Sequence, residues 1–111
     1  MGAKTLQMNT KNFDDHIGGP EPVLVDFTAA WCSPCKAIAP SVDAVAEAYA
    51  GRVRVGTIDV DADPIIAERY GVRSMPTLLM FKGGQVIGQI VGAVPKKKIE
   101  ELVEKALVGG R

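Results

Sequence analysis

Cysteine, histidine and net charge are all scarce in this 111-residue sequence, which has two Cys, one His and 13 basic against 13 acidic residues. Two cysteines and the single His16 are too few for a structural zinc site, which usually takes four Cys or His ligands. Balanced charge gives no electrostatic reason to bind nucleic acid or an anionic membrane. No apolar run approaches the roughly 20 residues of a membrane span, and the first residues lack the apolar core of a signal peptide. We therefore expect a cytoplasmic protein with no metal, no bound cofactor and no nucleic-acid or membrane partner.

The sequence does have a large hydrophobic fraction, 47% in a chain of 11.8 kDa. This is enough apolar surface for one well-formed core, and the length predicts a single domain over residues 1–111. No internal repeat, linker or low-complexity segment interrupts the sequence. We expect this domain to be a monomer.

Both cysteines lie in one fourteen-residue segment, residues 23–36, with the sequence V-L-V-D-F-T-A-A-W-C-S-P-C-K. Its first part, from Val23 to Phe27, is rich in β-branched and aromatic residues and predicts a strand. Cys32 and Cys35 follow at positions i and i+3, with Pro34 between them. Since proline is favoured in the first turn of a helix, Cys32 is predicted to lie at or just before a helix N-terminus.

This position of the cysteines predicts a redox function. Unpaired N–H groups and the positive end of the helix dipole favour a thiolate over a thiol, and the thiolate is the nucleophile. A mixed disulfide formed at Cys32 can be resolved by Cys35 one turn further along, so the expected chemistry is thiol–disulfide exchange. Half of a zinc site and a pair of inert structural cysteines are the alternatives, and Trp31 beside the pair with Pro34 inside it argues against inert cysteines.

Hydrophobic periodicity predicts secondary-structure elements in the order β-α-β-α-β-α-β-β-α. Strands joined by helices indicate parallel pairing, and a hairpin at Gly83-Gly84 adds an antiparallel edge, so the fold class is α/β. The helix after the cysteines should be kinked at Pro40. Its solvent-facing side should carry Lys36, Asp43 and Glu47. The predicted strands are 4–8, 23–27, 52–59, 77–81 and 85–91, and the predicted helices are a short one capped by Thr10, one at 33–50, a short one capped by Asp63, and a last one from Pro95, with residues 109–111 fraying.

Five short motifs, taken in order, resemble the thioredoxin family over nearly the whole chain. They are V-D-F at 25–27, W-C-S-P-C-K at 31–36, M-P-T at 75–77, F-K-G-G at 81–84 and V-G-A at 91–93. The resemblance implies the thioredoxin fold, in which a central five-stranded mixed sheet is flanked by four helices. It also implies a small protein that reduces disulfides in protein substrates and is recharged by an NADPH-dependent thioredoxin reductase.

The resemblance also implies roles for individual residues. Cys32 attacks the substrate disulfide and Cys35 releases the product, while the backbone before a cis Pro76 pairs with the substrate chain. Asp26, in a buried strand with no evident cation, should have a raised pKa and would take the proton from Cys35 and return it later. An aspartate at the solvated end of the strand is the alternative. The substrate-docking surface maps onto Trp31, Ser33, Pro34, Met75, Pro76, Val91, Gly92 and Ala93.

Three residues depart from the commonest thioredoxin pattern. Ser33 replaces a glycine, and its hydroxyl is expected to donate to the attacking thiolate and make the protein somewhat more oxidising. Thr28 replaces an aromatic residue, which should loosen the packing behind Trp31. Thr57 replaces a lysine, and the loss of that cation should raise the pKa of Asp26 further.

Two other functions stay open on the sequence alone. Disulfide oxidases and isomerases share the fold, although they usually carry a histidine between the cysteines and an export signal. Some thioredoxins instead serve as a tightly bound subunit or chaperone without redox turnover, through the same docking surface.

Overall fold

The computed structural model describes residues 5–108, and its elements follow the predicted order. α2 ends two residues earlier than predicted and β3 begins two residues later, because the N–H groups of Arg52 and Val53 both donate to the Tyr49 carbonyl in a tight turn. Lys4, predicted to begin the first strand, and residues 109–111, predicted to fray, lie outside the described residues. The elements are β1 (Thr5–Met8), α1 (Phe13–Ile17), β2 (Val23–Thr28), α2 (Ser33–Ala48), β3 (Arg54–Asp59), α3 (Pro64–Arg69), β4 (Thr77–Lys82), β5 (Gln85–Val91) and α4 (Lys96–Val108).

The strands form one mixed sheet in the order β1-β3-β2-β4-β5, which confirms the α/β class and the five-stranded sheet implied by the resemblance. β3 is parallel to both β1 and β2, whereas β4 is antiparallel to both β2 and β5. β2 therefore lies at the centre, and every residue from Val23 to Phe27 is buried. A continuous apolar run is the pattern expected of such a strand, and Asp26 is its one exception.

Alternation along β2 decides which helices each of its side chains meets. Phe27 and its alternate neighbours pack on one face of the sheet, in a cluster with α1 and α3 that includes Phe13. Leu24 packs on the other face, in a cluster with α2 and α4. Asp26, two residues after Leu24, is therefore directed to the α2 side, inside the fold.

The predicted cap of α1 by Thr10 is wrong, and the predicted cap of α3 is right in position but makes no side-chain bond. The N-cap of α1 is Asn12, which makes no side-chain capping bond, and Asp63 at the N-cap of α3 makes none either. The backbone N–H and the hydroxyl of Thr10 instead both donate to Asp63 Oδ1, at 2.9 and 2.8 Å. Both side chains are used to join the loop after β1 to the start of α3, so neither is available to cap its own helix.

α2 is the longest helix within residues 5–108, with 16 residues. Pro40 lies inside it, and the helix still runs unbroken from Ser33 to Ala48. Because proline has no N–H, the Lys36 carbonyl loses its helical partner there, and the kink itself stays a prediction. Neither α2 nor any other helix of the described chain is long and apolar enough to cross a membrane.

Candidate active site

Two loops meet at one edge of the sheet because of the way β2 pairs with β4. These strands are antiparallel, and Phe27 near the end of β2 lies opposite Thr77 at the start of β4. The loop that leaves β2 for the cysteines is therefore beside the loop that enters β4 through Met75 and Pro76. Chain segments 43 residues apart form one site in this way.

A disulfide joins Cys32 and Cys35 at the N-terminus of α2. Cys32 is the N-cap residue, and its Sγ accepts a hydrogen bond from the Cys35 backbone N–H at 3.2 Å. Pro34 lies in the first turn, so the predicted start of the helix is confirmed. The N–H on this sulfur is one that a helix otherwise leaves unpaired, and it will stabilise negative charge on Cys32 once the disulfide is reduced.

The two cysteines face different surroundings, although each is only 3% exposed. Cys32 Sγ lies 3.5 Å from the carbonyl oxygen of Met75, at the junction of the two loops. Cys35 lies one turn further into the helix and lines a cavity, open to the surface, that Cys32 does not line. The pair therefore has an outer sulfur beside the loops and an inner sulfur beside the cavity.

The loop before β4 has the backbone geometry that the resemblance implied. The Met75–Pro76 peptide bond is cis. The Pro76 carbonyl accepts a hydrogen bond from the Gly92 N–H at 2.8 Å, which ties the end of β5 to this loop. Gly92 has φ of +97°, a conformation in which a side chain is disfavoured, so glycine is required at this point of the surface.

The predicted docking residues are brought together around the outer sulfur by three links. Trp31, Ser33 and Pro34 flank Cys32 along the chain, Met75 contacts it, and the Pro76–Gly92 bond joins the end of β5. The exposure of these residues decreases from the edge of the surface towards the backbone of the loop before β4. Trp31, Ser33, Pro34, Val91 and Ala93 are exposed, Met75 and Gly92 are half-buried, and Pro76 is buried.

Asp61 is a site residue that the sequence did not single out. Its Oδ2 accepts a hydrogen bond from the Trp31 indole N–H at 2.6 Å, and this bond fixes an indole that is otherwise 66% exposed. The Asp61 N–H in turn donates to Asp59 Oδ1 at 2.8 Å, which orders the loop after β3. The only sequence signal was a run of three alternate aspartates, D-V-D-A-D at 59–63, and the run does not indicate which of them reaches the indole.

Asp26 lies on the α2 side of the sheet and lines the same cavity as the inner cysteine, Cys35. It is 3% exposed, and within residues 5–108 its Oδ1 has no hydrogen-bond partner. Burial first, and then the negative charge of Asp43, raise the pKa of Asp26 from its ordinary value of 3.8 to about 7. The predicted direction of the pKa change is confirmed, and the alternative of a solvated strand end is wrong.

A cavity of about 260 Å³ connects Asp26 with the inner cysteine. Since one water occupies about 30 Å³ of liquid, the cavity has room for several. Thr57 is the partner of Asp26 in the β2–β3 register and lines the cavity, so it stands where a cation would act on this carboxyl. The cavity is lined by Gln7, Asp26, Thr28, Ala29, Ala30, Cys35, Lys36, Ala39, Val42, Asp43, Thr57 and Asp59.

Asp43 corrects one prediction made from the helical pattern. That pattern assigns it to the solvent-facing side of α2, together with Lys36 and Glu47. Lys36 and Glu47 are exposed as predicted, whereas Asp43 is half-buried and lines the cavity. A helical wheel separates a buried from a solvated face, but it does not indicate that the edge strand β1 extends over the boundary between them.

Comparisons with known proteins agree with this geometry. The family model described as thioredoxin matches residues 4–105. A thioredoxin of Synechocystis sp. is 45% identical over 104 residues, which are 93% of this chain and 97% of that protein. Thioredoxin 1 of Nostoc sp. is 50% identical over 86 residues, 78% of this chain and 80% of that protein, and the chloroplastic M-type thioredoxin of Pisum sativum is 46% identical over 99 residues, 88% of this chain and 58% of that protein. A solved chain from work on thiol resolution in yeast mitochondrial 1-Cys peroxiredoxin via glutathione/thioredoxin systems has a TM-score of 0.82 and 33% identity, covering 91% of this chain and 94% of that one.

Proposed function

The chain belongs to the thioredoxin family and is a thiol–disulfide oxidoreductase, and we propose that it reduces disulfides of protein substrates with Cys32 as nucleophile and Cys35 as resolving thiol. The observation that carries the assignment is the hydrogen bond from the Cys35 N–H to Cys32 Sγ at the start of α2. Only the outer sulfur receives this helix N–H, and only the outer sulfur lies beside the loops where a substrate can dock.

The proposed reaction has two exchange steps. The Cys32 thiolate attacks one sulfur of the substrate disulfide, a mixed disulfide forms, and the other substrate sulfur leaves as a thiolate that is protonated from water. Cys35 then attacks Cys32 Sγ, so that the Cys32–Cys35 disulfide forms and the second substrate sulfur leaves. Two electrons pass from the cysteine pair to the substrate, and thioredoxin reductase, using NADPH, returns them in the family to which the chain belongs.

Asp26 is proposed to handle the proton of the second step. The Cys35 thiol must lose a proton as it attacks, and that thiol and the Asp26 carboxyl line the same cavity. A pKa of about 7 leaves the carboxyl close to half ionised at neutral pH, so it can both accept a proton and give it back. The unpartnered Oδ1 is available for a water in the cavity.

The docking surface is proposed to bind extended segments of substrate chains. Its rim is hydrophobic, with Trp31 66% and Val91 55% exposed, and exposed apolar residues gathered around one reactive group indicate an interaction site, unlike scattered ones. Small residues such as Ala93 between them leave space for varied side chains. The similar solved chain comes from work on thiol resolution in a 1-Cys peroxiredoxin via glutathione/thioredoxin systems, and a peroxiredoxin of that class is the first protein substrate to test.

We further propose that residues 1–111 act as one monomeric domain in a reducing compartment such as the cytoplasm. One sheet takes up all the described strands, which supports a single domain. Both cysteines belong to the redox pair, a usage that suits a compartment in which structural disulfides are rare. Light scattering tests the monomer, and fractionation of the source cells tests the compartment.

The decisive experiment compares Cys35→Ser with Cys32→Ser, using insulin as a disulfide-bonded substrate and thioredoxin reductase with NADPH as the electron source. Cys35→Ser should trap a covalent adduct with one insulin chain, visible by mass spectrometry and released by dithiothreitol. Cys32→Ser should form no adduct and serves as the matched control. Adducts on Cys35 in the Cys32→Ser protein would reverse the two roles, and function retained without either cysteine would favour a non-catalytic subunit or chaperone.

A further inference from the structure

Asp43, on α2, lines the cavity and is held there by a hydrogen bond from strand β1. The Thr5 hydroxyl, at the start of edge strand β1, donates to Asp43 Oδ1 at 2.8 Å. Thr5 is only 8% exposed, so this bond is largely shielded from water. The Asp43 carboxylate is therefore held at the cavity wall instead of extending into solvent from α2.

The groups that face Asp26 through the cavity come from three elements, and only two of these carry charge. Strand β4, on the other side of β2, presents the apolar Leu78 as its register partner. Asp59, at the end of β3, has one oxygen engaged by two backbone N–H groups of the following loop. The charged or titratable lining groups are Cys35, Lys36 and Asp43 from α2 and Asp59 from β3, while β1 contributes only the neutral Gln7.

We propose that Asp43, held in place by Thr5, is a positioning residue that acts through Asp26 on the proton transfer to and from Cys35. This inference deepens the proposed function and rests on the shuttle role given there to Asp26. The geometry behind it is a second carboxylate, held by a hydrogen bond from Thr5, on the cavity that Asp26 and Cys35 also line.

The physical effect has a definite sign. A negative charge close to Asp26 disfavours ionisation of that carboxyl, so Asp43 makes Asp26 a better proton acceptor and a poorer donor. Burial alone would act in the same direction, but it is fixed by the sheet. Asp43 adds a contribution that comes from one side chain of α2, and the Thr5 hydroxyl helps to hold that side chain at the cavity.

The test is a carboxyl-carbon NMR titration of Asp26 in the oxidised protein, where the cysteines do not titrate, combined with the pH profile of the resolving step. Asp43→Asn keeps the shape of the side chain and an oxygen for the Thr5 hydroxyl, so the fold should be preserved. We expect the Asp26 midpoint to fall by roughly half a pH unit, the size of a screened interaction between like charges. The pH midpoint of the rate at which Cys35 resolves a mixed disulfide should fall by the same amount. Glu47→Gln, an exposed carboxylate one turn further along α2, is the matched control and should move neither quantity.

Two further variants separate the inference from the function on which it rests. Thr5→Val should lower the Asp26 midpoint by less than Asp43→Asn does, and Thr5→Ser should restore it. An unmoved midpoint in Asp43→Asn, an equal fall in Glu47→Gln, or a moved midpoint that the rate profile does not follow would each overturn the proposal. Asp26→Asn tests the shuttle itself: if this change leaves the pH profile of release unaltered, the role of Asp26 fails whatever the titrations show.

Discussion

Replacement of Asp26 by asparagine should stabilise the protein at neutral and alkaline pH, although it removes the proposed proton shuttle. The folded pKa of this carboxyl is about 7, against an ordinary value of 3.8. Between these two pH values, the unfolded chain has lost a proton that the folded chain keeps. The free energy of unfolding therefore falls as the pH rises from about 4 to about 7, and the full cost is present above pH 7.

The size of the effect follows from the same two pKa values. They differ by roughly three pH units, and one pH unit corresponds to about 1.4 kcal/mol, so ionised Asp26 costs the folded state about 4 kcal/mol. An asparagine keeps a buried polar group, which carries its own cost of about 1 to 3 kcal/mol if it is imperfectly paired. We therefore expect Asp26→Asn to be more stable than the wild type by about 1 to 3 kcal/mol at pH 8. At pH 4 the wild-type carboxyl is already neutral, only the cost of the asparagine remains, and the variant should be less stable by about 1 to 2 kcal/mol.

Urea unfolding of the oxidised protein, measured at intervals from pH 4 to pH 8, checks this expectation. The wild-type free energy of unfolding should fall relative to that of Asp26→Asn by about 4 kcal/mol across this range, so that the two curves cross as the pH rises. Asp15→Asn, on the exposed face of α1, is the control and should run parallel to the wild type. Parallel curves for Asp26→Asn and wild type would refute the reasoning, because burial of an ionisable carboxyl would then carry no pH-dependent cost.

Three further predictions concern other positions. Thr57→Lys should lower the pKa of Asp26, since it places a cation at its register partner, and an NMR titration with an unchanged midpoint would contradict this. Gly92→Ala should cost about 1 to 2 kcal/mol in urea unfolding because its φ of +97° disfavours a side chain, whereas Gly19→Ala, with open space around it and no positive φ, should cost little. Ser33→Gly should make the reduction potential of the disulfide more negative by about 15 mV, equivalent to roughly 0.7 kcal/mol, in equilibration against glutathione. A wild-type potential of about −270 mV suits a reductant, while one of about −180 mV, typical of protein disulfide isomerase, would place the protein with isomerases and oxidants.

The order of elements was predictable because strands and helices leave different periodicities in the sequence. The apolar run from Val23 to Phe27 indicated a strand buried on both faces, and it lies at the centre of the sheet. The start of α2 was predictable from Pro34 beside the cysteines, since proline has a strong positional preference. The same run favoured a buried Asp26, but a solvated strand end stayed open as an alternative, and the central position of β2 is what excludes it.

The predictions that were wrong or missing concern side chains whose contacts join segments distant in sequence. Thr10 and Asp63 are both common capping residues, so local pattern assigns each to its own helix, whereas the fold bonds them to each other across 53 residues. The assignment of Asp43 to solvent fails because periodicity describes one helix at a time and carries no information about Thr5 on an edge strand. The Asp61 bond to the indole was missed for the same reason.

The antiparallel pairing of β2 with β4 determines when the active site forms during folding. The outer sulfur and the Met75 carbonyl are neighbours only when Phe27 and Thr77 are opposite each other, so the proposed docking surface does not exist in a chain whose central strands are apart. Catalytic competence and closure of the sheet are therefore a single event. During synthesis the cysteines emerge well before β4, and the chain will be chemically a dithiol long before it is a catalyst. Turnover can thus serve as a direct reporter of correct assembly, more specific than any probe of helix content.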